Sequence, residues 1–450
     1  MNPEPLIRNL RKMQKETWKM GAGDKKLLWR IFLFALFVRF VVVLTGVGYD
    51  RQMTFWDARD YDNHAIHLLK GLGFTNGVSF SSRPPLYPCL LAFTYLLFGH
   101  HYLPIRMLQS VLDALSILVV FAINQRFFRK RVCFLAALFC SAHLILVFYC
   151  GNILTETLSL FLLSFVVLTL LVCTENNSVG WGSVCGILFG LLLLTKSSLS
   201  PVFLVMAIWI LGARSIRFPS RLKVMAAVTL CTVAAIAPWT IRNYKIHHAF
   251  VPLVTSAGSS LWDLNNPKAI EHPEIIGLQA DWIMVGNVFK EEDGRRIRLS
   301  EVEGDRTLTR RALAFQKEFL PTKPRQFFLR LLRKFLAAWS FHPGQHPLEY
   351  MLFFFTYGLA LGGFILSLKS RPRPLLHYFL ILQYIAVAMM YYGRAKYRVP
   401  IEPYAVTFTA FSLDRIFSSS GTLPQKKNSA FKKLDTLVLK IAPRRSPPPV

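Results

Sequence analysis

Acidic side chains are scarce in this 450-residue chain: 25 Asp plus Glu stand against 53 Lys plus Arg, and charged residues of both signs make up only 17%. Ordinary soluble domains carry about a quarter charged residues, and a soluble nucleic-acid binder reaches a high positive charge by adding charge, not by diluting it. A net charge of +28 on so few charged residues therefore argues against nucleic acid as a partner, and 53% hydrophobic content argues against disorder. No Cys-x-x-Cys pair occurs, and all seven cysteines (Cys89, Cys133, Cys140, Cys150, Cys173, Cys185, Cys231) fall in or beside apolar runs. They read as small buried hydrophobes, not as a disulfide framework or a thiolate metal site. P-loop and Gly-x-Gly-x-x-Gly turns are absent, as are repeats with a period of 20–50 residues and any inverted-repeat pair. What the chain has in quantity is apolar runs long enough to cross a bilayer, with the surplus positive charge placed between them.

The placement of that charge predicts an all-α polytopic membrane protein. Residues 1–28 are basic (Arg8, Arg11, Lys12, Lys15, Lys19, Lys25, Lys26) and lead through Arg30 into an apolar run interrupted only by Arg39, a signal-anchor pattern without a clear cleavage site. Lys and Arg concentrate on the cytoplasmic side of membrane proteins, which puts the N-terminus inside and residue 48 outside. The clusters Arg126–Arg131, Arg214–Lys223, Lys369–Arg373 and the tail 417–450 are cytoplasmic by the same rule. About ten spans fit between them: 29–47, 104–125, 132–150, 153–173, 180–196, 200–213, 222–239, 349–367, 375–392 and 399–416. Parity closes if 84–98, shorter than the roughly 17 residues a span needs, is interfacial or re-entrant on the outer side; otherwise it is an eleventh span.

Two segments then lie on the outer face. The first loop, 48–103, follows the first helix of a transmembrane module spanning 29–239. The second, 240–348, reads as a helical subdomain lying on the membrane, with helical periodicity over 306–320 and 324–338, before the closing helices of 349–416.

Ionisable groups at a bilayer edge are costly, so their positions carry information. The outer face holds Asp50, Arg51, Asp57, Arg59, Asp60 and Asp62 just after the first span, on what reads as a short juxtamembrane helix ended by glycine. Glu156 opens the 153–173 helix. Cations reach the same level at Arg83, at Lys196, and at Arg394, Lys396 and Arg398. A carboxylate there can serve as a general base, and cations beside it can hold a lipid-linked phosphate by charge-assisted hydrogen bonds. Each cation taken alone also reads as a headgroup anchor, and the acids as a solvated helix face.

Taken together, Asp57-Ala-x-x-Tyr61 with the following Leu68-Leu69 and Gly71-x-Gly73-Phe74, then Arg83-Pro84-Pro85-Leu86-Tyr87-Pro88, Leu154-Thr155-Glu156, Pro238-Trp239-Thr240-Ile241-Arg242-Asn243-Tyr244 and Lys396-Tyr397-Arg398-Val399-Pro400 resemble the bacterial C-class membrane glycosyltransferases. The branch most similar is that of the protein O-mannosyltransferases and the lipid A aminoarabinose transferase, over about 30–416. The resemblance implies an inverting transferase that takes a sugar from a polyprenyl-phosphate donor to a lipid, glycan or protein acceptor, among membrane lipids, on the outer face of the bacterial cytoplasmic membrane. It implies Asp57 as the catalytic carboxylate, Glu156 as the second acid, Tyr61 as the tyrosine after the aspartate, and Arg83 as a phosphate contact. Lys196, Tyr397 and Arg398 are expected in substrate binding, Arg398 at the phosphate.

One departure bears on metals. The lipid A enzymes carry a glutamate before the basic-proline element that helps hold a metal, and Ser82 stands at that place. No cofactor is assigned; a divalent ion is left open, with His342 and His346 as possible loop ligands or plain loop residues. Two other function classes compete. A flippase or transporter of lipid-linked saccharides needs a polar path, whereas the spans contain little beyond Arg39, Arg106, Asp113 and Asp414. A polymerase or ligase of such saccharides also carries a large outer loop, but gives no reason for the Asp57–Tyr61 setting directly after the first span.

Overall fold

The computed structural model describes residues 20–46, 55–213, 216–271, 289–292, 295–339, 347–370, 372–391, 393 and 395–419. Asp50, Arg51, His342, His346, Arg394 and most of the basic termini lie outside them. Two compact units divide the chain at 1–412 and 413–450, the described part of the second being residues 413–419 of the final helix.

The fold is helical, as the apolar pattern predicts. In chain order the helices are α1 (Ala22–Thr45), α2 (Trp56–Leu69), α3 (Leu86–Phe98), α4 (Tyr102–Asn124), α5 (Lys130–Ser141), α6 (Leu144–Cys150), α7 (Glu156–Asn176), α8 (Val179–Thr195), α9 (Val202–Gly212) and α10 (Phe218–His247). There follow α11 (Ala257–Asp263), α12 (Lys268–Glu271), α13 (Glu301–Thr322), α14 (Pro324–Trp339), α15 (Pro347–Ser367), α16 (Leu375–Met390), α17 (Ala395–Arg398) and α18 (Glu402–Ser419). Between α12 and α13 sits an antiparallel hairpin, β1 (Phe289–Glu292) paired with β2 (Arg295–Arg298), where the sequence suggested helix alone. Four described helices, α1, α4, α7 and α10, are long and apolar enough to cross a membrane, and α5 with α6 makes a fifth if the bent pair is one span. Helices α3, α8, α15 and α16 and the segment Ser197–Gly212 are apolar but shorter.

The bend of 49° between α5 and α6 is held by a buried guanidinium. A break inside a span exposes carbonyls that lipid cannot satisfy. Arg39 of α1 supplies the donors: Nη1 reaches the Ser141 carbonyl at 2.8 Å and Nη2 the Cys140 carbonyl at 3.2 Å. The same guanidinium donates through Nε to Asp113 of α4 at 2.7 Å, and both side chains are fully buried. Arg39 and Asp113 are thus committed to holding α1, α4 and the α5–α6 break together. Arg106 likewise donates to the Gly151 carbonyl, so three of the four ionisable residues noted within the spans serve packing.

Helix α7 is apolar on nearly every face and correspondingly buried along most of its length, packed between α4 and α8. Helix α8 carries Gly182, Gly186 and Gly190 at every fourth position, which lets the α10 backbone approach closely. A Cβ at Gly186 would overlap the Val228 carbonyl, and one at Gly190 would lie 2.5 Å from Ala235 Cβ. Thr232 of α10 donates to the Gly186 carbonyl across the contact.

Helix α14 is inverted relative to a surface helix of a water-soluble protein. Phe328, Leu329, Leu332 and Leu336 are exposed, while Arg330 and Lys334 are buried. An apolar outer face suits a helix lying against lipid. Its inward Lys334 donates to Asn265 Oδ1 at 3.0 Å and to the Met389 and Met390 carbonyls, joining α14 and the turn after α11 to the end of α16.

Candidate active site

Helix α2 presents Asp57, Asp60, Tyr61 and His64 on one side, the spacing at which residues three and four apart become neighbours. Asp57 stands in its first turn, where the helix dipole favours a carboxylate. Arg83 reaches back to this face. Its Nη2 donates to Asp57 Oδ1 at 2.7 Å, its Nε donates to Asp60 Oδ2 at 2.5 Å, and its guanidinium carbon lies 5.3 Å from the centre of the Tyr61 ring. The second oxygen of Asp57 accepts from Lys396 of α17. Asp57 is only 14% exposed. Burial alone would push its carboxyl upward, but the charges and hydrogen bonds of Lys396 and Arg83 outweigh that and hold it well below the ordinary carboxylate range.

Asp60 is itself held in place. Asn76 Nδ2 donates to Asp60 Oδ1 at 2.5 Å, while Asn76 Oδ1 accepts from the Val78 and Ser79 N–H groups in a tight turn. Gly77 at that turn has φ 91, a value that side chains beyond glycine rarely adopt. Burial raises the Tyr61 hydroxyl well above its usual value, opposed by Arg83 and reinforced by the Asp57 and Glu156 carboxylates, so this group stays protonated and acts through hydrogen bonds.

Glu156 opens α7 after a loop that α4 and α3 fix: Gln109 Nε2 donates to the Cys150 and Asn152 carbonyls, and Tyr87 OH donates to Gln109 Oε1. Its partner is Lys196, just past α8, with Nζ 2.7 Å from Oε1 and both side chains buried. The two carboxylates are connected through one ring. Lys196 Nζ lies 5.0 Å from the centre of the Tyr397 ring and Lys396 Nζ lies 5.4 Å from it, so Tyr397 is flanked by the lysine bound to Glu156 and the lysine bound to Asp57. Asp57, Tyr61, Arg83, Glu156, Lys196 and Tyr397 are thereby assembled in one neighbourhood.

Arg398 is not among them. Its guanidinium is buried, donating to Glu402 Oε2 at 2.6 Å and to the Ala338 carbonyl, in a cage of Trp339, Phe353 and Tyr357. The residue that joins Asp57 is Lys396, two positions earlier. Residues i and i+2 do not share a helix face, so α17 can direct Lys396 or Arg398 toward Asp57 but not both. The sequence marks Lys396 as an outer-face cation without giving it that role.

A second set of residues positions the loop that carries Arg83. Arg242 of α10 donates to the Phe74 carbonyl at 2.7 Å, the Phe80 carbonyl at 2.6 Å and Ser81 Oγ at 2.9 Å, its guanidinium stacked 4.5 Å from the Trp239 ring. Asn243 Oδ1 accepts from Ser81 Oγ. Glu301, at the start of α13, accepts from the Phe80 N–H at 2.5 Å, the Ser81 N–H and Thr255 Oγ1. The Trp239–Asn243 motif is therefore a clamp on the first loop, and Glu301 is a part of it that no local sequence pattern announces. Ser82 shares a hydrogen with Ser79 Oγ at 2.5 Å. Among the described residues no group of three His, Cys, Asp or Glu side chains is placed to hold a metal ion.

Residues 82–241 match the sequence profile of the dolichyl-phosphate-mannose-protein mannosyltransferase family. The archaeal oligosaccharyltransferase AglB from Archaeoglobus fulgidus, solved with an inhibitory peptide and a dolichol-phosphate, superposes with a TM-score of 0.52 at 14% identity, covering 94% of this chain and 54% of that one. The chain has the C-class membrane glycosyltransferase fold. An oligosaccharyltransferase structure from the same organism, tethered to an acceptor peptide with the NVT sequon, gives 0.50 at 13% identity over the same shares. ArnT from Cupriavidus metallidurans, bound to undecaprenyl phosphate, gives 0.41 at 15% identity, covering 88% of this chain and 79% of that one. The chain spans about half the length of the archaeal structures. No curated protein sequence matches it. Within this C-class fold the matched segment begins at Ser82 and ends at Ile241, so it opens beside Arg83 and closes beside the Arg242 clamp.

Proposed function

We propose that this C-class chain transfers a sugar from a polyprenyl-phosphate donor to a lipid, glycan or protein acceptor on the outer face of the bacterial cytoplasmic membrane, with inversion at the sugar carbon. The observation that carries this reading is the double pairing of Asp57 with Arg83 and Lys396, a carboxylate and two cations drawn from distant segments to one point just after the first apolar helix. AglB is solved with a dolichol-phosphate, and a lipid-linked phosphate is the ligand these cations suit.

The chemistry needs few parts. The phosphate is already a good leaving group, so the protein has to align an acceptor for in-line attack, supply a base, and neutralise the departing phosphate. Asp57 takes the proton from the acceptor hydroxyl or amine as the acceptor oxygen or nitrogen bonds to the sugar carbon. The bond from that carbon to the phosphate oxygen breaks on the opposite side, and the lipid phosphate leaves with the electron pair. Arg83 and Lys396 hold that phosphate by charge-assisted hydrogen bonds. Arg83 and Lys396 engage the phosphate and Asp57 in turn, so arrival of the donor loosens the pairs that quench the base. Glu156, fixed by Lys196, orients sugar or acceptor beside Tyr61 and Tyr397, and Arg398 with Glu402 braces α17 so that Lys396 points at Asp57.

Asp57→Asn keeps the shape and removes the base. With synthetic polyprenyl-phosphate sugars in excess and membranes from acceptor-bearing cells, transfer by this variant is expected to fall at least about 10²-fold, within the range positioned bases contribute. Wild-type rates from the folded variant would reject the assignment.

A further inference from the structure

A cavity of about 300 Å³ adjoins the site, with Tyr397 in its wall. This lies within the range of about 300 to 1,000 Å³ seen for small-molecule sites and admits a saccharide ring. Ser197, Ser198 and Ser200, directly after Lys196, line one side, and Ser256 and Ser260 line another. Ser256 donates to the Ser82 carbonyl and so ties that wall to the loop carrying Arg83. The hydroxyls of Ser197, Ser198, Ser200 and Ser260 make no hydrogen bond among the described residues, which leaves them to an occupant. The rest of the lining is apolar, including Leu253 and Val387, and no charged side chain is among the described lining residues.

We infer that this cavity receives the sugar of the donor and selects an uncharged one. The inference rests on the lipid-phosphate donor proposed above and adds the class of sugar to it. Tyr397 fixes the position: the lysines on either side of its ring belong to the phosphate and carboxylate centre, and the sugar is one bond from the phosphate. Free hydroxyls facing an aromatic ring and apolar side chains match a saccharide, which offers hydroxyls at its edge and C–H groups on its face. A sugar carrying an ammonium or carboxylate brings a charge among described walls that hold no charged side chain, while Lys196 beside them is paired with Glu156 and Lys396 is taken by the phosphate. Burying an unpaired charge is strongly unfavourable, whereas a neutral hydroxyl finds partners here.

The test measures binding by the full chain in nanodiscs, with four probes built on the same short polyprenyl phosphate: no sugar, mannose, 4-amino-4-deoxyarabinose and glucuronate. Mannose is expected to tighten binding about tenfold over the bare lipid phosphate, and the two charged sugars to give no gain. The double variant Ser198→Ala/Ser260→Ala is expected to erase the mannose gain and to bind the bare lipid phosphate as the wild type does. Equal binding with and without mannose, or a gain as large for either charged sugar, overturns the uncharged-sugar assignment. Failure to bind the bare lipid phosphate, or binding that is indifferent to Arg83→Ala, overturns instead the donor reading beneath it.

Discussion

Lys396 donates to Oδ2 of Asp57 across 339 positions of sequence. With Arg83 on the other oxygen, the carboxylate is ionised at all ordinary pH values. The ionised Asp57 therefore stabilises the fold fully above its unfolded value of about 3.9, a contribution lost only as pH falls through the depressed folded value. No acid limb from Asp57 is expected in the wild-type rate between pH 5 and 8. Lys396→Met removes one cation and leaves burial to push the carboxyl upward, so an acid limb is expected to enter that range, falling about tenfold per pH unit below the new value. Transfer rate against pH checks this, and a profile that does not move would detach Lys396 from Asp57.

Arg83 spans two carboxylates with different nitrogens, which a lysine, as a single point charge, cannot do. Arg83→Lys is therefore expected to behave closer to Arg83→Ala than to the wild type, with donor kcat/KM lowered about 10- to 100-fold, the worth of one or two lost charged hydrogen bonds. Full activity of the lysine variant would mean that charge alone suffices.

Glu156 and Lys196 form a buried pair, and removing one member of such a pair costs about 3–5 kcal/mol because the other is left uncompensated. Glu156→Gln and Lys196→Met are each expected to lower the thermal midpoint sharply. The double variant is expected to recover much of the stability and none of the transfer. Recovery of both in a thermal-shift and transfer assay would make the pair a packing device alone.

Gly186 tests the helix contact beneath the site. A methyl group there meets the Val228 carbonyl, so Gly186→Ala is expected to cost about 1–3 kcal/mol or more, while Gly212→Ala, with open space around it, stays within about 0.5 kcal/mol. Thermal unfolding in detergent distinguishes them, and equal effects would refute the close α8–α10 approach.

Much of the helical framework was legible because hydropathy over twenty residues is a local property. The spans expected at 104–125, 153–173, 180–196 and 349–367 each fall within three residues of α4, α7, α8 and α15 at both ends. Helix α10 runs on to His247 through Pro238, beyond the expected end at 239, and its last turns carry the clamp on the first loop. The site was legible only in its inventory. Hydropathy and spacing identify which charges stand at the ends of apolar helices, but which cation meets which acid is set by α17 choosing a face, and the two-residue step from Lys396 to Arg398 reverses the outcome. Glu301 escaped for the same reason: an acid with partners 220 positions away looks like any surface glutamate.

The long sequence span between Asp57 and Lys396 also orders events in time. A membrane chain is inserted from its N-terminus, so Asp57 and Arg83 are in place well before α17 exists. At about 5–20 residues per second, the 339 intervening positions take roughly 17–70 s to synthesise. For that interval the nascent protein carries Asp57 without Lys396, and for most of it the first loop also lacks Glu301, so the site described above is complete only when one of the last helices arrives.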